Sequence, residues 1–389
     1  MRPRETNPSI RLLIGLALIS ILVFYLAESN RHKKQAPYWD LKIKAANLDE
    51  KCQGLIRDEL KRRGIAIDFE NDPNGSGLIG EQTTLITTDL GELRSKLIAT
   101  NPNFAAAIVQ MFKDADLRRG SKIAVGLTGS LPGANIALYS ACEVMGIEPV
   151  VITSVGSSTW GANHPQFTWL DMEKLLYDNK LIKYRSVAAS LGGGSDNGRG
   201  LSMTGRNLLL DAIKRNDIQL VFTGNAENIL EGGGSLRENV EKRMSIYQTA
   251  SKGQPYAAYV NIGGGLSSLG SSQNGKLIPS GLSFDLSTIN FPSQGVITMM
   301  AARKIPIIHV LRLADIARVY GLTQEVSPPP VVGEDSIFFK DQYSIVSTVI
   351  YTAILIVIVV AFIRIDVKYY IRRQTKILFN PKKDDDLEL

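Results

Sequence analysis

The stretch "KIAVGLTGSLPGANIALYSACEVMGIEPVVITSV" (Lys122–Val155) decides the fold class. "KIAVGL" is an apolar run, "TGSLPG" is a loop, and "ANIALYSACEVMG" has the spacing of an amphipathic helix that ends at a glycine. A second continuous apolar run, "EPVVITSV", follows directly. Because strands that are apolar throughout are buried on both faces, as in a parallel sheet, the stretch predicts a βαβ unit.

The same alternation continues toward the C-terminus. The apolar runs "YRSVAA", "IQLVF", "AAYVNI" and "IPIIHVL" alternate with helical segments such as "TWLDMEKLLYDN" and "GVITMMAARK". Two of the helical segments begin with the spacing of a capping box, at Thr168 and Asp171 and at Ser235 and Glu238. Strands that alternate with helices in this way predict an α/β fold with a doubly wound, mostly parallel, Rossmann-like sheet.

Long uncharged runs lie near both ends of the chain, at Leu12–Ala27 and Ile345–Ile363. The second run is long enough to cross a hydrocarbon core of about 30 Å as a helix. The first run is shorter, and "AES" at Ala27–Ser29 offers a weak cleavage site, so both an uncleaved anchor and a cleaved signal peptide are open. We expect the anchor, and therefore an α/β domain between two transmembrane helices.

The distribution of basic residues predicts the orientation in the membrane. Only Lys340 is basic between Ser327 and Ser344. Many basic residues follow the second run: Arg364, Lys368, Arg372, Arg373, Lys376, Lys382 and Lys383. The positive-inside rule therefore places the C-terminal tail in the cytoplasm, the N-terminus beside it and the central domain outside, in the cell (inner or cytoplasmic) membrane. Arg31, Lys33 and Lys34 oppose this orientation locally.

These features predict a linear domain organisation. Its segments are a cytoplasmic N-terminus (1–11), a transmembrane helix or signal anchor (12–27), a helical stalk (28–70), an extracytoplasmic α/β domain (71–326), a proline-rich spacer (327–344), a transmembrane helix (345–363) and a basic cytoplasmic tail (364–389).

Composition argues against several classes of partner and cofactor. The net charge of +6 comes from the two ends, since residues 35–363 carry equal numbers of acidic and basic side chains. Without a basic stripe in the domain, no nucleic-acid partner is expected, and membrane lipid accounts for the basic flanks. Cys52 and Cys142 are too far apart for a short metal-binding motif, so either a disulfide or two buried thiols is open. No metal site and no cofactor are predicted.

Five glycine- and serine-rich loops follow predicted strands and precede predicted helices: Thr128–Gly133, Gly156–Phe167, Gly192–Gly200, Gly232–Ser235 and Gly263–Ser272. The carboxyl ends of parallel strands meet at one edge of the sheet, where ligands bind, and glycine lets backbone N–H groups approach an anion. Tight turns are the alternative role of these loops. The predicted ligand-binding residues are Ser130, Ser157, Gly193, Asp196, Arg199, Gly264 and Ser267.

The loop "GGSDNGRG" (Gly193–Gly200) is spaced like a nucleotide-binding P-loop but lacks its chemistry. Arg199 stands where the phosphate-binding lysine belongs, and Gly200 stands where the magnesium-binding hydroxyl belongs. An anion other than a nucleotide is therefore expected.

A hydrolytic site is a second interpretation of the same loops. Ser158 is the candidate nucleophile, His164 the candidate base and Asp171 the candidate orienting carboxylate. No G-x-S-x-G motif supports them, and capping or turn roles are the alternatives. His309 lies in an apolar strand and is expected to be a core residue.

Several long motifs resemble the poly-gamma-glutamate system protein family. They include "DPNGSGLIGEQTTLITTDLGELRSKLIATNPNFAA", "AVGLTGSLPGANIA", "VITSVGSSTWGANHPQFTWLDMEKLL", "VAASLGGGSDNGRGLS" and "YVNIGGGLSSLG", and the resemblance covers Asp72 to Gly321. The resemblance implies a bacterial accessory membrane protein of capsule-type polymer biosynthesis, whose partners are the ligase and the membrane subunits of the same system and the anionic polymer itself. It transfers no site residues. An amide-bond hydrolase or transferase acting on the polymer, and a small-anion sensor, are the alternatives.

Overall fold

The computed structural model describes residues 10–222, 226–231 and 233–379. The predicted cytoplasmic N-terminus (except its last two residues), Gly232 of one glycine loop, and the last ten residues of the predicted tail lie outside the described residues. The chain forms two compact units, Ala36–Phe338 and a second unit that combines Met1–Gln35 with Phe339–Leu389.

The described strands, in chain order, are β1 (Arg31–Gln35), β2 (Thr87–Asp89), β3 (Lys122–Thr128), β4 (Glu148–Ser154), β5 (Ser157–Ser158), β6 (Asn163–His164), β7 (Phe167–Thr168), β8 (Ser186–Ser190), β9 (Gln219–Leu220), β10 (Ala258–Ile262), β11 (Gly281–Ser283), β12 (Ile307–Val310) and β13 (Phe339–Tyr343). The described α-helices are α1 (Ile10–Ser29), α2 (Trp39–Arg62), α3 (Leu93–Ala99), α4 (Phe104–Asp114), α5 (Pro132–Met145), α6 (Trp169–Asp178), α7 (Met203–Arg215), α8 (Ala226–Leu230), α9 (Leu236–Ser251), α10 (Leu266–Leu269), α11 (Ser272–Leu277), α12 (Val296–Ala302), α13 (Leu313–Tyr320) and α14 (Ile345–Phe379).

A seven-stranded sheet organises the larger unit, with the strand order β11-β12-β10-β3-β4-β8-β9. Every neighbouring pair is parallel except β11 and β12, which pair in opposite directions at one edge. The α/β class and the mostly parallel sheet predicted from the sequence are confirmed.

Helices cover both faces of this sheet. The adjacent β8 residues Ala188 and Ala189 are both buried, but they belong to two different hydrophobic clusters. Successive side chains of a strand point to opposite faces, so each face has its own core. One cluster includes Val240 and Met244 of α9, and the other includes Leu209 of α7. This is the arrangement of a doubly wound fold.

The βαβ unit predicted from Lys122–Val155 lies at the centre of the sheet. β3 and β4 pair in parallel with Val125 opposite Val151, and α5 connects them. Helix α5 ends at Gly146, whose φ of 68° is a left-handed conformation that glycine adopts without a steric cost. Both predicted capping boxes are present, at the starts of α6 and α9.

Helix α2 differs from the stalk predicted for residues 28–70. It contacts α4 and α5 and buries Ala45, Ala46, Cys52 and Ile56. These small and apolar side chains recur at helical spacing, which gives α2 a face that packs against neighbouring helices. The structure therefore places α2 inside the α/β unit.

The predicted spacer 327–344 also contributes to the folded units. Asp335 is buried, and its carboxylate accepts hydrogen bonds from Asn101 Nδ2 (3.0 Å), Asn103 Nδ2 (2.9 Å) and the Thr323 backbone N–H (2.8 Å). The later part of the segment forms β13. The proline-rich composition did not predict this packing, because the packing depends on the single buried carboxylate of Asp335.

Cys52 and Cys142 are free thiols, and both side chains are buried. Burial raises the pKa of both thiols above the usual value. Of the two alternatives that the sequence left open, the structure shows buried thiols.

The smaller unit joins the two ends of the chain. β1 and β13 form an antiparallel ladder, and Asn30 at the end of α1 donates a hydrogen bond of 2.6 Å to the Tyr351 hydroxyl of α14. The segment Ile345–Arg364 of α14 is long and apolar enough to cross a membrane, with a mean hydropathy of 2.8. The apolar part of α1, Leu13–Ser29, is shorter, so the first predicted span stays a prediction.

Candidate functional site

Four of the five glycine-rich loops meet in one cavity at the carboxyl edge of the sheet. This cavity, called the cleft below, has a volume of about 970 Å³. The loops that follow β3, β4, β8 and β10 contribute Ser130, Gly156, Gly193 and Gly264 to its lining. Residues Gly233–Ser235 of the remaining loop do not line the cleft; instead, Asn197 donates hydrogen bonds to the carbonyls of Gly233 and Gly234.

Sheet topology places the cleft where it is. From β3 the chain adds β4, β8 and β9 on one side, and it then returns to place β10 and β12 on the other side. Such a reversal opens a crevice between the two loops that leave the neighbouring central strands. Here these are the loops after β3 and β10, where Thr128 Oγ1 donates a hydrogen bond of 3.3 Å to the Ile262 carbonyl.

Ser158 and Lys96 form a close pair in the lining of the cleft. Lys96 Nζ lies 2.7 Å from Ser158 Oγ, and it also donates a hydrogen bond to the Ser130 carbonyl. Gly91 permits this approach, since a Cβ there would lie 2.7 Å from Ser158 Oγ and 3.1 Å from Lys96 Cε. A serine hydroxyl in contact with a lysine amine is an arrangement that can support nucleophilic chemistry.

Burial changes the chemistry of Lys96. The side chain is 4% exposed, and no carboxylate lies within ion-pair distance of its amine in the part of the chain that the structure describes. Burial disfavours the charged form and lowers the pKa of Lys96 to about 7. Much of the population therefore carries a neutral amine at physiological pH.

Ser130 holds the loop that carries Ser158. Its Oγ accepts a hydrogen bond of 3.0 Å from the backbone N–H of Ser158. Helix α5 starts at Pro132, directly after Ser130 and Leu131, and both of these residues line the cleft. The partial positive charge at the N-terminus of a helix of this length favours a negative group nearby.

The rest of the lining carries charges of both signs. The basic residues besides Lys96 are Arg199, Lys276 and Arg312, and the acidic residues are Asp89, Glu92 and Asp315. Arg312 is already engaged, since its Nε lies 3.1 Å from an Asp315 oxygen. Arg199 is exposed, and its guanidinium forms no ion pair with any carboxylate in residues 10–222, 226–231 or 233–379. Arg199 is therefore free to bind an anion.

Asp196, predicted from sequence to bind the ligand, lies in a buried polar network. One carboxylate oxygen accepts hydrogen bonds from Ser154 Oγ (2.8 Å) and Ser190 Oγ (2.7 Å). The other forms an ion pair of 2.8 Å with Arg243, and both side chains are nearly inaccessible. The carboxylate is thus occupied by protein groups and holds the glycine loop in place.

Ser157 and Ser267 lie outside the lining of the cleft. Ser157 is fully buried, and its hydroxyl donates a hydrogen bond of 2.8 Å to the Ser158 carbonyl. Ser267 is also buried, and its hydroxyl has no hydrogen-bond partner among the described residues. Of the predicted ligand-binding residues, Ser130, Gly193, Arg199 and Gly264 come together in the cleft.

The structure does not assemble the predicted triad. His164 lines a second cavity of about 430 Å³, and its Nδ1 accepts a hydrogen bond of 3.3 Å from the Gln166 N–H. Asp171 caps α6 and forms an ion pair of 2.6 Å with Arg215. Ser158 lines the cleft, and His164 lines the second cavity. Capping, the alternative role for Asp171, is the one observed.

His309 is a core residue, as expected. It is fully buried in β12, and its Nδ1 lies 3.0 Å from Asn261 Nδ2. Burial, followed by the charge of Arg312, lowers the pKa of His309 to about 4. The imidazole is therefore neutral at physiological pH.

Lys96 is the residue of the candidate site that the sequence did not predict. It belongs to "LRSKLIA", the short helix α3, which precedes the first strand of the large sheet and carries no glycine loop. One signal was available: a single lysine stands among apolar residues on a face that a helix would bury.

Comparisons of the chain with family models, with curated proteins and with solved structures find no match.

Proposed function

We propose that this chain is a membrane-anchored accessory component of a poly-γ-glutamate synthesis or export system, and that its α/β unit binds the polymer in the cleft. The observation that carries the proposal is the meeting of four glycine loops and the unpaired Arg199 in one cavity of about 970 Å³. The motifs that resemble the family include three of these loops in full and Gly263–Gly270 of the fourth.

The chemistry of the cleft suits a chain of γ-linked glutamates. Each unit of that polymer carries one carboxylate and one amide. Glycine-rich loops present backbone N–H groups to carboxylates, and Arg199 and Lys276 supply positive charge at the lining. Acidic residues in the same lining keep the overall field weak, so recognition would depend on local contacts and less on bulk charge.

The membrane segments support a location of the α/β unit where the new polymer leaves the membrane. Helix α14 contains the candidate span Ile345–Arg364, and basic residues cluster on its C-terminal side. In our proposal the tail is cytoplasmic and the α/β unit lies outside the cytoplasm, where a newly made polymer emerges. The ligase and the membrane subunits of the same system would be its protein partners.

Arg199→Ala tests the proposed binding. We expect the full chain in detergent to bind purified poly-γ-glutamate at low ionic strength, measured by titration calorimetry, and to bind more weakly as salt is added. Arg199→Ala removes a charge-assisted hydrogen bond and should weaken binding about tenfold.

Arg303→Ala is the matched control, because it removes one exposed positive charge from a residue that does not line the cleft. Its affinity should equal that of the wild type. Equal affinities for Arg199→Ala and wild type, or no binding of the polymer at low salt, would contradict the proposal. Free glutamate that competes as well as the polymer at equal monomer concentration would favour a small-anion sensor.

A further inference from the structure

Simple binding of a polyanion does not need the Ser158–Lys96 pair. A buried lysine that serves only to stabilise a fold is normally paired with a carboxylate, because an unpaired buried charge is costly. Lys96 instead contacts the Ser130 carbonyl and the Ser158 hydroxyl at the surface of the cleft. Perturbed titratable groups of this kind concentrate at functional sites.

We propose that Ser158 is a nucleophile, that Lys96 is its general base, and that the pair hydrolyses γ-glutamyl amide bonds of the polymer bound in the cleft. This inference rests on the proposed binding of the polymer at the same site. His164 and Asp171 have no part in it, because they lie at another cavity and in a helix cap.

Both contacts of Lys96 Nζ can be made by a neutral amine once the Ser158 hydroxyl proton turns toward the nitrogen. A neutral amine has two N–H donors and one lone pair. One donor serves the Ser130 carbonyl, and the lone pair can accept the Ser158 hydroxyl proton across 2.7 Å. The pKa of about 7, which burial causes, makes this neutral form available at physiological pH.

The reaction balances without a metal or cofactor. The proton of Ser158 Oγ passes to Lys96 Nζ while Oγ bonds to the amide carbonyl carbon. The lysine ammonium gives this proton to the departing nitrogen, the C–N bond breaks, and the acyl part stays on Oγ as an ester. Water then attacks the ester and gives a proton to Lys96. The ester C–O bond breaks, the proton returns to Ser158, and a carboxylic acid and an amine leave.

Ser130 acts as a positioning residue in this scheme. Its Oγ accepts the Ser158 N–H at 3.0 Å, which fixes the nucleophile's backbone, and its carbonyl orients the lysine amine. The N-terminus of α5 follows directly and favours the negative charge that develops on the carbonyl oxygen.

The first experiment follows new amino groups released from purified poly-γ-glutamate by the full chain in detergent. We expect Ser158→Ala to lower the rate by about 10³-fold or more. Lys96→Met should lower it by about 10²–10⁴-fold, the usual contribution of a general base. Lys122→Met and Ser251→Ala are the controls, because they make the same changes at residues that do not line the cleft: Lys122 is the first residue of β3, and its Nζ donates to the Ser251 backbone carbonyl at 3.3 Å.

The pH profile separates a base from a merely structural lysine. The other titratable or charged groups in the lining are Asp89, Glu92, Arg199, Lys276, Arg312 and Asp315. Wild-type activity should rise as the pH passes about 7, where Lys96 loses its proton. Lys96→Arg, which keeps a cation that cannot deprotonate, should lose this rise; a rise that persists would overturn the role of Lys96.

Two further readouts distinguish failure of the inference from failure of the proposed function. If Ser158→Ala and wild type both bind the polymer but wild type releases no amino groups, the inference is overturned and the binding function stands. A different result would be that no polymer binds, yet a fluorophosphonate labels Ser158 only when Lys96 is present. The nucleophile–base pair would then be supported, and the polymer would be ruled out as its ligand. Equal labelling of Ser158→Ala and wild type would overturn the assignment of the nucleophile.

Discussion

Arg243 and Asp196 show how a single buried contact holds the cleft together. Besides its ion pair with Asp196, Arg243 donates hydrogen bonds to Ser154 (2.9 Å) and Ser190 (2.6 Å). Since Ser154 ends β4 and lines the cleft, and Asp196 belongs to the glycine loop after β8, the arginine ties the end of one strand and the loop of its neighbour to helix α9. The network therefore holds this part of the cleft lining in position.

Arg243→Met should destabilise the protein strongly. It leaves the Asp196 carboxylate buried without its cation, which typically costs about 3–5 kcal/mol in the free energy of unfolding. Urea denaturation of the full chain in detergent, followed by tryptophan fluorescence, measures the change. Arg237→Met on the same helix is the control, because its ion pair with Glu241 is exposed and should leave the denaturation midpoint unchanged. Equal midpoints for the two variants would contradict the role of the buried pair.

At the scale of single residues, the sequence predicted positions better than roles. Ser130, Gly193, Arg199 and Gly264 could be assigned to the cleft because they follow strands that end at one edge. Asp196 belongs to the loop that contains Gly193 and Arg199, yet its role depends on Arg243, which lies 47 positions later in the chain. A contact at that separation leaves no local pattern. The contact between Lys96 and Ser158, 62 positions later, was missed for the same reason.

At the scale of the element, the loop after β10 depends on the backbone freedom of one glycine. Gly263 has a φ of 95°, and a Cβ there would overlap Thr128 Oγ1. We expect Gly263→Ala to lower the free energy of unfolding by roughly 1–2 kcal/mol or more, from the left-handed conformation and the overlap together. The same variant should weaken binding of the polymer, because the overlap displaces two loops of the cleft.

Gly264→Ala provides the comparison for that prediction. A Cβ at Gly264 would have Leu311 Cδ1 as its nearest neighbour, at an ordinary contact distance of 3.7 Å. Chemical denaturation of the two variants should therefore show a loss of stability for Gly263→Ala only. If both variants unfold at the wild-type midpoint, the loop does not need its glycine.

Elements with a strong period were predicted well, and elements without one were missed. The predicted strands of the large sheet correspond to β3, β4, β8, β9, β10 and β12, and α9 has the bounds Leu236–Ser251 that its capping box indicates. The antiparallel edge strand β11 covers only Gly281–Ser283 and has no apolar alternation to reveal it. For α2 the helix was predicted, but its partners α4 and α5 come from distant sequence.

At the scale of the whole molecule, the sequence predicted two membrane segments around one domain. The structure gives one candidate span, Ile345–Arg364, and a separate compact unit, Ala36–Phe338. The length of the apolar run explains why only one candidate span is found, since α1 has fewer apolar residues than an untilted helix needs to cross a bilayer core. Sidedness depends on charges beyond the helix ends, and those charges act through the insertion machinery and leave no mark on the fold.

Labelling of introduced cysteines tests the sidedness directly. The native thiols of Cys52 and Cys142 are buried, and burial raises their pKa, so they should give little background with a maleimide. Lys242→Cys places an exposed thiol on α9, and Lys382→Cys places a thiol in the sequence of the basic tail. In intact spheroplasts a membrane-impermeant maleimide should label Lys242→Cys, and it should label Lys382→Cys only after permeabilisation. Labelling of the tail from outside would reverse the orientation and place the cleft in the cytoplasm, away from an emerging polymer.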